Sequence, residues 1–446
     1  MGARGRLSPG STQDVRVSVT SSAKRREIVV VGGGLAGLSA ALDLCSGGLG
    51  VTVLEARPTL GGAVQTLPRR DGDPNPPPDN GQHIALGCFT EYARFLERIG
   101  QAGSLRRMRL SLPVLDEQSR TATIGAGPPG LMRYKHLTLR ERASAVAATA
   151  RLSRLDSWRH DEESFGDVLR RFGQSERVIE RLWDVFMRPA LNLASDEASA
   201  SLGIFTVQTA LLGSRADSDV LLPAAPLSSM HGEAAGLALE RAGARIRTSS
   251  RVSELGDGTV MLATGEVHAC DGIVIALPAA ESAELLGETA PALEDSPIVS
   301  VHMLFDRELL GEPMAALLDS DAHWVFDRGQ LTGHVPEQGQ YLTVVSSGVP
   351  ELTDTRGQEV VDVMAEQLTS RLGPAELVWS RLSREPRATF AGRPGSGSER
   401  RGARTSRPGV VRAGAWTATG WPATMEGAVR SGQVAARELL RANDAT

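Results

Sequence analysis

The sequence predicts an α/β protein in which a discontinuous, Rossmann-like nucleotide-binding domain is combined with a second domain of mixed sheet and helices. Two observations lead to this prediction. Residues 27–62 have the pattern of a strand, a glycine turn, a helix, a second strand and a second glycine turn, which is the order of a βαβ unit. Buried strand-like runs return at 272–277 and 408–414. The first sheet is therefore expected to combine the beginning, the middle and the end of the chain.

The first glycine turn follows the apolar strand EIVVV at once and fits the pattern G-x-G-x-x-G. Gly32 lets the chain turn tightly, Gly34 lets a pyrophosphate approach the backbone at the helix N-terminus, and Gly37 lets the helix pack on the strand. Ala36 belongs to the same turn. Glu55 ends the second strand, where a carboxylate can accept hydrogen bonds from ribose hydroxyls. The pattern indicates dinucleotide binding, and a purely structural βαβ turn is the alternative.

The composition is that of a globular protein large enough for two or three domains. The chain has 446 residues and a net charge of −5, so it can bury a large core and shows no sign of a nucleic-acid partner. Cys45, Cys88 and Cys270 are widely spaced, which gives no metal-binding pattern and fits a reducing compartment. No stretch approaches the roughly 18 apolar residues of a spanning helix. A cytoplasmic protein is expected, with peripheral membrane contact left open.

Shifts in pattern along the chain predict its division into segments. Ser, Arg and Gly dominate the start, whereas helical periodicity prevails in the middle. The expected segments are a disordered tail (1–25), the first part of the nucleotide-binding domain (26–100), a mostly helical substrate or cap domain (101–224), the second part of the nucleotide-binding domain (225–290), a sheet of the substrate domain (291–384) and the third part of the nucleotide-binding domain (385–446).

The segment that begins at Glu55 reads EARPTLGG and contains Arg57 and the paired glycines Gly61 and Gly62. It resembles the second motif of the superfamily of FAD-containing amine oxidases and carotenoid desaturases. The resemblance implies that the dinucleotide is FAD, held by these residues and by the first glycine turn. Ala63 departs from the motif, which usually continues with a basic residue.

The C-terminal stretch 412–432, RAGAWTATGWPATMEGAVRSG, resembles the closing FAD motif of the same superfamily. In that motif a strand end and a helix N-terminus present backbone N–H groups to electron-rich flavin oxygens. The resemblance implies that Gly414 and Met425 lie at the cofactor and that the backbone of Val252 meets the adenine. Ala415 stands where the superfamily usually has an acid that holds the ribitol.

Four further stretches, at 79–83, 188–193, 196–200 and 323–328, resemble the hydroxysqualene dehydroxylase family, also called squalene-associated FAD-dependent desaturases. Amine oxidases are disfavoured, because many of them use a lysine near the flavin and residues 280–446 contain none. The resemblance implies the reduction of hydroxysqualene to squalene in squalene and hopanoid biosynthesis. It also implies a long-chain isoprenoid substrate and a functional link to a squalene-synthase-like enzyme that supplies hydroxysqualene.

The reaction that this resemblance implies needs an acid and a dry pocket. Hydroxide is a poor leaving group, so a side chain should protonate it, and aromatic faces can stabilise the allylic cation that remains. His83 is the candidate acid and Trp421 the candidate aromatic wall, although His83 can equally bond within its own loop and Trp421 can simply pack. Residues 127–136 and 182–186 are candidates for the mouth and wall of a lipid tunnel, or else for ordinary surface and core.

Two other functions are compatible with the motifs. A carotenoid (phytoene)-type desaturase would use the same flavin geometry in the oxidative direction. A flavin-free prenyl-lipid carrier of the same fold would explain the loss of cofactor contacts at Ala63 and Ala415. The intact glycine turn and Glu55 favour a bound flavin over the carrier.

Overall fold

The computed structural model describes Gly2 and residues 25–444, with side chains through residue 441. The predicted disordered tail, 1–25, lies almost wholly outside these residues. Among the described helices, none is long and apolar enough to cross a membrane.

The strands in chain order are β1 (Glu27–Val31), β2 (Gly50–Leu54), β3 (Ala85–Leu86), β4 (Leu105–Met108), β5 (Ser111–Leu115), β6 (Thr121–Gly125), β7 (Val220–Pro223), β8 (Arg245–Arg247), β9 (Val252–Gly256), β10 (Thr259–Leu262), β11 (Val267–Ala269), β12 (Gly272–Ile275), β13 (Asp295–Phe305), β14 (Met314–Leu317), β15 (Trp324–Asp327), β16 (Gln340–Ser347), β17 (Leu377–Phe390) and β18 (Val410–Arg412).

The α-helices in chain order are α1 (Leu35–Ser46), α2 (Thr90–Arg98), α3 (Gly127–Met132), α4 (Leu139–Leu152), α5 (Phe165–Arg171), α6 (Glu176–Val178), α7 (Asp184–Leu191), α8 (Ala200–Thr206), α9 (Ala234–Arg241), α10 (Ala279–Leu286), α11 (Arg328–Thr332), α12 (Pro350–Asp354), α13 (Gly357–Leu372), α14 (Ser396–Glu399) and α15 (Met425–Asp444). Short 3-10 turns lie at Ala102–Ser104 and Ser157–His160, and π-helical turns at Ile179–Trp183, Val207–Leu211 and Ser229–Glu233.

The first sheet is parallel and has the strand order β18-β12-β1-β2-β8. The central strand β1 pairs in parallel with β12 on one side and β2 on the other. Its residues from Ile28 to Val31 are all buried. Parallel strands are covered on both faces, which is why they carry continuous apolar runs in the sequence. The predicted α/β fold, with its first sheet assembled from three separate parts of the chain, is confirmed.

Different layers cover the two faces of this sheet. Helices α1 and α15 pack on one face, so closely that a side chain at Gly432 would overlap the carbonyl oxygen of Ala36. On the other face lies the antiparallel sheet β9–β11, whose Leu255 and Val260 pack against the first sheet. The carboxyl ends of β1 and β2 lead directly into the two glycine turns. The sheet therefore places both turns at one edge.

The second sheet is mixed and has the order β17-β13-β16-β15-β14-β5-β6. β14 and β5 are parallel, whereas the other neighbours are antiparallel. One face packs on α13 through Val360, Met364 and Leu368. The other face packs on the helical region between residues 139 and 211. This arrangement confirms the predicted second domain of mixed sheet and helices.

The segment boundaries proposed from the sequence are only partly reflected in the elements. β17 extends from Leu377 to Phe390 and so crosses the boundary expected at 384/385. The predicted helical cap, 101–224, also contributes strands, and two of them, β4 and β7, join β3 in a separate three-stranded sheet. The division into domains therefore stays a prediction.

Two buried ion pairs hold the segment 73–79 against β17 of the second sheet and against α11, which follows β15. Arg328 Nη2 lies 2.6 Å from Asp79 Oδ2, and the two side chains are 2% and 1% exposed. Arg381 Nη1 lies 2.6 Å from Asp73 Oδ2, and both side chains are again buried. Removing one partner of such a pair leaves a buried charge alone, so the contacts resist separation. They hold the chain that follows the second glycine turn against the second sheet and α11.

We expect Arg328→Met to lower the free energy of unfolding by about 3–5 kcal/mol, because Asp79 would stay buried without its counter-charge. The double variant Asp79→Asn/Arg328→Met should recover much of that loss, since an amide oxygen can still accept the bonds that Thr66 Oγ1 and Leu227 N now donate to Asp79 Oδ1. Urea denaturation of the apo protein measures both variants.

Arg159→Met is the matched control, because Arg159 pairs with Asp156 on the surface and such pairs contribute at most about 1 kcal/mol. Equal losses in Arg328→Met and Arg159→Met would contradict a structural role for the buried pair.

Candidate functional site

The glycines of the first turn are required for two different reasons. Gly32 has φ of +105°, and a Cβ there would overlap the carbonyl oxygen of Ala276. A Cβ on Gly37 would overlap the carbonyl oxygen of Gly32. Gly34 differs, because its φ is −79° and the nearest atom to a built Cβ is the Gly62 Cα, at 3.6 Å. Packing within the protein therefore explains Gly32 and Gly37, whereas Gly34 borders open space suited to a ligand.

The N-terminus of helix α1, which follows this turn, is suited to binding an anion. α1 begins at Leu35, has no side-chain cap and carries no acidic residue in its first turn. Ala36 lies buried in that turn, so it can offer a ligand only its backbone. The uncapped N–H groups and the helix dipole favour negative charge at this end. The arrangement fits the pyrophosphate of a dinucleotide.

The second glycine turn lies directly against the first. Gly61 and Gly62 have φ of +117° and +62°. The N–H of Gly61 donates to the Gly33 carbonyl at 2.8 Å. A Cβ on Gly62 would lie 2.8 Å from the Cα of Gly34, closer than real Cβ atoms come. The two turns form one backbone cradle, and this close approach requires glycine at position 62.

Glu55 joins the cradle to the predicted ribose site. Its carboxylate is buried, with Oε2 accepting from the Gly33 N–H at 2.6 Å and Oε1 from the Arg57 N–H at 2.7 Å. Each oxygen keeps further acceptor capacity for a ribose hydroxyl. The Arg57 side chain is exposed. Ser250 N donates to the Glu55 carbonyl at 2.8 Å, which brings the start of β9, at Val252, beside this end of the cradle.

The closing motif adds a strand end and a helix start. Gly414 follows β18 with φ of +149°, and its N–H donates to Ser431 Oγ of α15 at 2.9 Å. Met425 begins α15. Within residues 25–444, the N–H groups of Ala415 and Trp416 have no acceptor. Unpaired N–H groups, an uncapped helix and an open glycine together fit FAD, and among the described residues no cluster could hold a metal ion.

His83 lies in a loop that is tied to the second glycine turn. Asn80 Nδ2 donates to the Ala63 carbonyl at 2.9 Å, and His83 Nδ1 lies 3.2 Å from the Gly81 carbonyl oxygen. Burial lowers the pKa of His83 below its usual 6.5, whereas the Gly81 carbonyl and the charge of Asp79 act in the opposite direction. A proton on Nδ1 satisfies the Gly81 carbonyl, so Nε2 is the ring atom left to exchange a proton.

The second sheet places polar side chains beside this loop that the sequence reasoning missed. A Cβ on Gly81 would lie 2.9 Å from Ser300 Oγ, and Ser300 Oγ has no hydrogen-bond partner among the described residues. His302 Nδ1 lies 2.9 Å from Thr343 Oγ1, and burial lowers the pKa of His302 to about 3. Ser300 and His302 alternate with Val301 and apolar neighbours in β13. This alternation was the available signal for a polar face.

Trp421 is packed among other side chains. Its ring centroid lies 5.8 Å from that of Phe89 and 5.2 Å from that of Phe205, both edge to face. The guanidinium carbon of Arg430 lies 4.8 Å from the centroid of the Trp421 ring. A face that already carries a cation repels a second one. The geometry therefore favours packing over cation stabilisation for Trp421.

An apolar cavity brings together the two stretches considered for a lipid tunnel. It has a volume of about 60 Å³ and is lined on one side by Pro128 and Leu131 and on the other by Leu182 and Phe186. Leu110, Ile124, Leu211 and Leu212 are among its other lining residues. Ligand pockets usually measure roughly 300–1,000 Å³, so this cavity can hold only part of a long chain as it stands.

Comparison with known proteins shows which family the chain matches. The profile of the family described as "Flavin containing amine oxidoreductase" matches residues 35–440. The chain is 29% identical to the hydroxysqualene dehydroxylase of Sinorhizobium fredii over 92% of this chain and 97% of that protein. It is 24% identical to the 15-cis-phytoene desaturase of Solanum lycopersicum over 94% of this chain and 78% of that protein.

The similarity of this chain to solved structures supports its fold and nothing more. The cyclohexylamine oxidase of Brevibacterium oxydans superposes with a TM-score of 0.71, at 18% identity, over 94% of this chain and all of that chain.

The structure predicts opposite outcomes for two glycine substitutions three residues apart. Gly34→Ala should weaken FAD binding at least about tenfold, equivalent to about 1.4 kcal/mol, while changing stability by no more than about 1 kcal/mol, since only a helix N-cap changes. Gly37→Ala should lower the free energy of unfolding by about 1–3 kcal/mol, because its methyl group meets backbone. FAD titration of the apo protein and urea denaturation measure the two effects. A Gly34→Ala variant that binds FAD as tightly as the parent would refute the assignment of the cradle.

Proposed function

Because the chain belongs to the flavin-containing amine oxidoreductase family, we propose that it reductively removes the hydroxyl group of hydroxysqualene and so produces squalene, in squalene and hopanoid biosynthesis. The predictions of an FAD-dependent oxidoreductase and of FAD as its cofactor are confirmed by the family. The single observation that carries the reaction is similarity to a hydroxysqualene dehydroxylase over 97% of that protein's length.

The reaction sets demands that the chain's own residues must meet. The carbon–oxygen bond of an allylic alcohol breaks, a proton converts the leaving hydroxide to water, and a hydride forms the new carbon–hydrogen bond. Bound FAD, when reduced, supplies that hydride. The protein must deliver the proton to the hydroxyl oxygen, hold the hydrocarbon chain and exclude bulk water, because water would recapture the allylic cation.

His83 is our candidate for the proton donor. It is held beside the cradle by the Asn80–Ala63 bond, and Nε2 is free to face a ligand once Nδ1 bonds the Gly81 carbonyl. The acid must be protonated to act, and burial holds its pKa below 6.5. Its ability to donate a proton should therefore increase as the pH falls.

The apolar cavity supports an isoprenoid substrate. Its lining is hydrocarbon from α3 on one side and from the region of 182–186 on the other, which suits a long chain without polar groups. Its small volume means that a C30 chain must extend beyond it or open it further. We propose that α3, a helix of Gly127–Met132 with two prolines, is the part of the cavity wall that moves to enlarge the cavity.

We further propose that the substrate reaches the protein from a squalene-synthase-like enzyme at a membrane surface. A C30 alcohol has little solubility in water, so transfer through a lipid surface is the easier path. Leu139 is 64% exposed, the exposed Arg140 is the next residue, and the exposed Lys135 lies four residues earlier. An apolar side chain flanked by cations is suited to a lipid interface.

Two alternatives remain distinct proposals. A phytoene-type desaturation is favoured by the similarity to the tomato enzyme. A flavin-free lipid carrier would rely on the loss of side-chain contacts at Ala63 and Ala415. The backbone cradle, which needs neither residue, argues against the carrier.

We expect the purified protein to show flavin absorbance bands that bleach on anaerobic reduction and return as added hydroxysqualene is converted to squalene. A yellow protein that does not convert hydroxysqualene but desaturates phytoene would favour the desaturase. A colourless protein that cannot be reconstituted with FAD would leave the carrier as the remaining function.

If His83 donates the proton, kcat/KM should fall as the pH rises through a pKa below 6.5, because the protonated ring is the active form. His83→Gln should lower turnover and remove this pH dependence while leaving the flavin spectrum unchanged. His160→Gln is the control, since His160 is paired with Glu163 away from the cradle. A His83→Gln variant that keeps the parent's pH profile would rule out this role.

A further inference from the structure

One buried arginine, Arg400, forms hydrogen bonds with the backbone of the closing motif. Arg400 follows α14 and is 7% exposed. Its guanidinium donates to four carbonyl oxygens of the segment that contains Ala415: Nη2 to Thr417 at 2.6 Å, Trp421 at 2.6 Å and Ala415 at 3.3 Å, and Nε to Trp416 at 3.2 Å. One side chain therefore orients the carbonyl groups of residues 415, 416, 417 and 421.

The charge of Arg400 has no partner carboxylate among the described residues. Its guanidinium carbon lies 5.1 Å from the centroid of the Phe390 ring. Burial lowers the pKa of Arg400 to about 10, and only Asp161 acts in the opposite direction, so the group is charged at neutral pH. Arg401, the next residue, instead pairs with Glu288 at 2.6 Å. A buried cation without a counter-charge is unfavourable unless another negative group approaches.

The orientation of the peptide groups in the closing motif indicates where a negatively charged group can bind. Because the Ala415 carbonyl faces Arg400, the N–H of Trp416 in the same peptide group points the other way. The N–H groups of Ala415 and Trp416 have no acceptors in the described structure. These are the N–H groups of the closing motif, which fits FAD. The carboxylate usual at the position of Ala415 is absent, so no side-chain anion competes for this place.

We propose that Arg400 is the positioning residue of the flavin site: it holds residues 414–421 in the form that binds FAD, in place of the missing carboxylate at Ala415, and its uncompensated positive charge favours the reduced flavin, which carries more negative charge. The first role concerns affinity for FAD and the second concerns the reduction potential. The proposal rests on FAD binding at the closing motif and is independent of the hydroxysqualene reaction.

The test uses three full-length variants, Arg400→Gln, Arg400→Lys and Arg401→Gln, each stripped of FAD and titrated with it, and each reduced anaerobically against dyes of known potential. Arg400→Gln should bind FAD at least tenfold more weakly and lower the flavin's potential by about 30 mV, which is a tenfold change for a two-electron couple. Arg400→Lys keeps the charge but not the four bonds, so it should bind FAD more weakly with little change in potential.

Arg401→Gln removes a charge one residue away that Glu288 already compensates, so both measurements should match the parent. The proposal is overturned if Arg400→Gln changes neither quantity, if Arg401→Gln changes both to the same extent, or if Arg400→Lys lowers the potential as much as Arg400→Gln. Should Arg400→Gln fail to fold, Arg400→Lys still decides: weakened FAD binding with a preserved potential supports the proposal, and unchanged binding overturns it. None of these readouts involves hydroxysqualene.

Discussion

The contact between the two glycine turns is the constraint on which the rest of the site depends. Gly61 donates to the Gly33 carbonyl, and a side-chain carbon on Gly62 would lie 2.8 Å from the Cα of Gly34, so the two turns are packed directly against each other. Glu55 strengthens this contact because its buried carboxylate accepts from both Gly33 and Arg57. The cradle is therefore made of backbone, and a backbone cradle tolerates the loss of side-chain contacts better than a site built on charged residues.

The chain that follows the second turn connects this cradle to the second sheet. Asn80 bonds the Ala63 carbonyl, and Asp79 pairs with Arg328, which begins α11 directly after β15 of the second sheet. His83 is placed by these contacts between the FAD cradle and the buried polar face of β13. The ion pair between Asp79 and Arg328 thus also helps to hold the loop that contains His83.

Charge is distributed unevenly around the closing motif. Many arginines of the described structure pair with carboxylates, such as Arg401 and Arg412 with Glu288. Arg400 instead bonds to carbonyl oxygens and Arg430 covers Trp421 while it pairs with Glu426. A side of the site rich in positive charge suits a cofactor that becomes more negative on reduction. It suits a substrate cation less well at Trp421.

The sequence by itself determined the features that local rules govern. The strand–turn–helix order, the two glycine turns and the acid at Glu55 follow from residue types at fixed spacing, and the family resemblance followed from the same short stretches. The helical region and the strands of the second sheet were also visible, because their apolar periodicity depends only on which face is buried. The division into domains was less visible, since β17 continues across a composition shift without a break.

The tertiary structure alone decided which side chains meet. Arg400 and the carbonyls from 415 to 421 are near in sequence, but no spacing rule states that a guanidinium will bond four of them. Arg328 and Asp79 lie far apart in the chain, as do Gly81 and Ser300, and only the packing of one sheet against the other brings each pair together. Contacts of this kind depend on how the sheets and helices pack against one another. That packing results from many buried contacts together, and no single sequence motif encodes it.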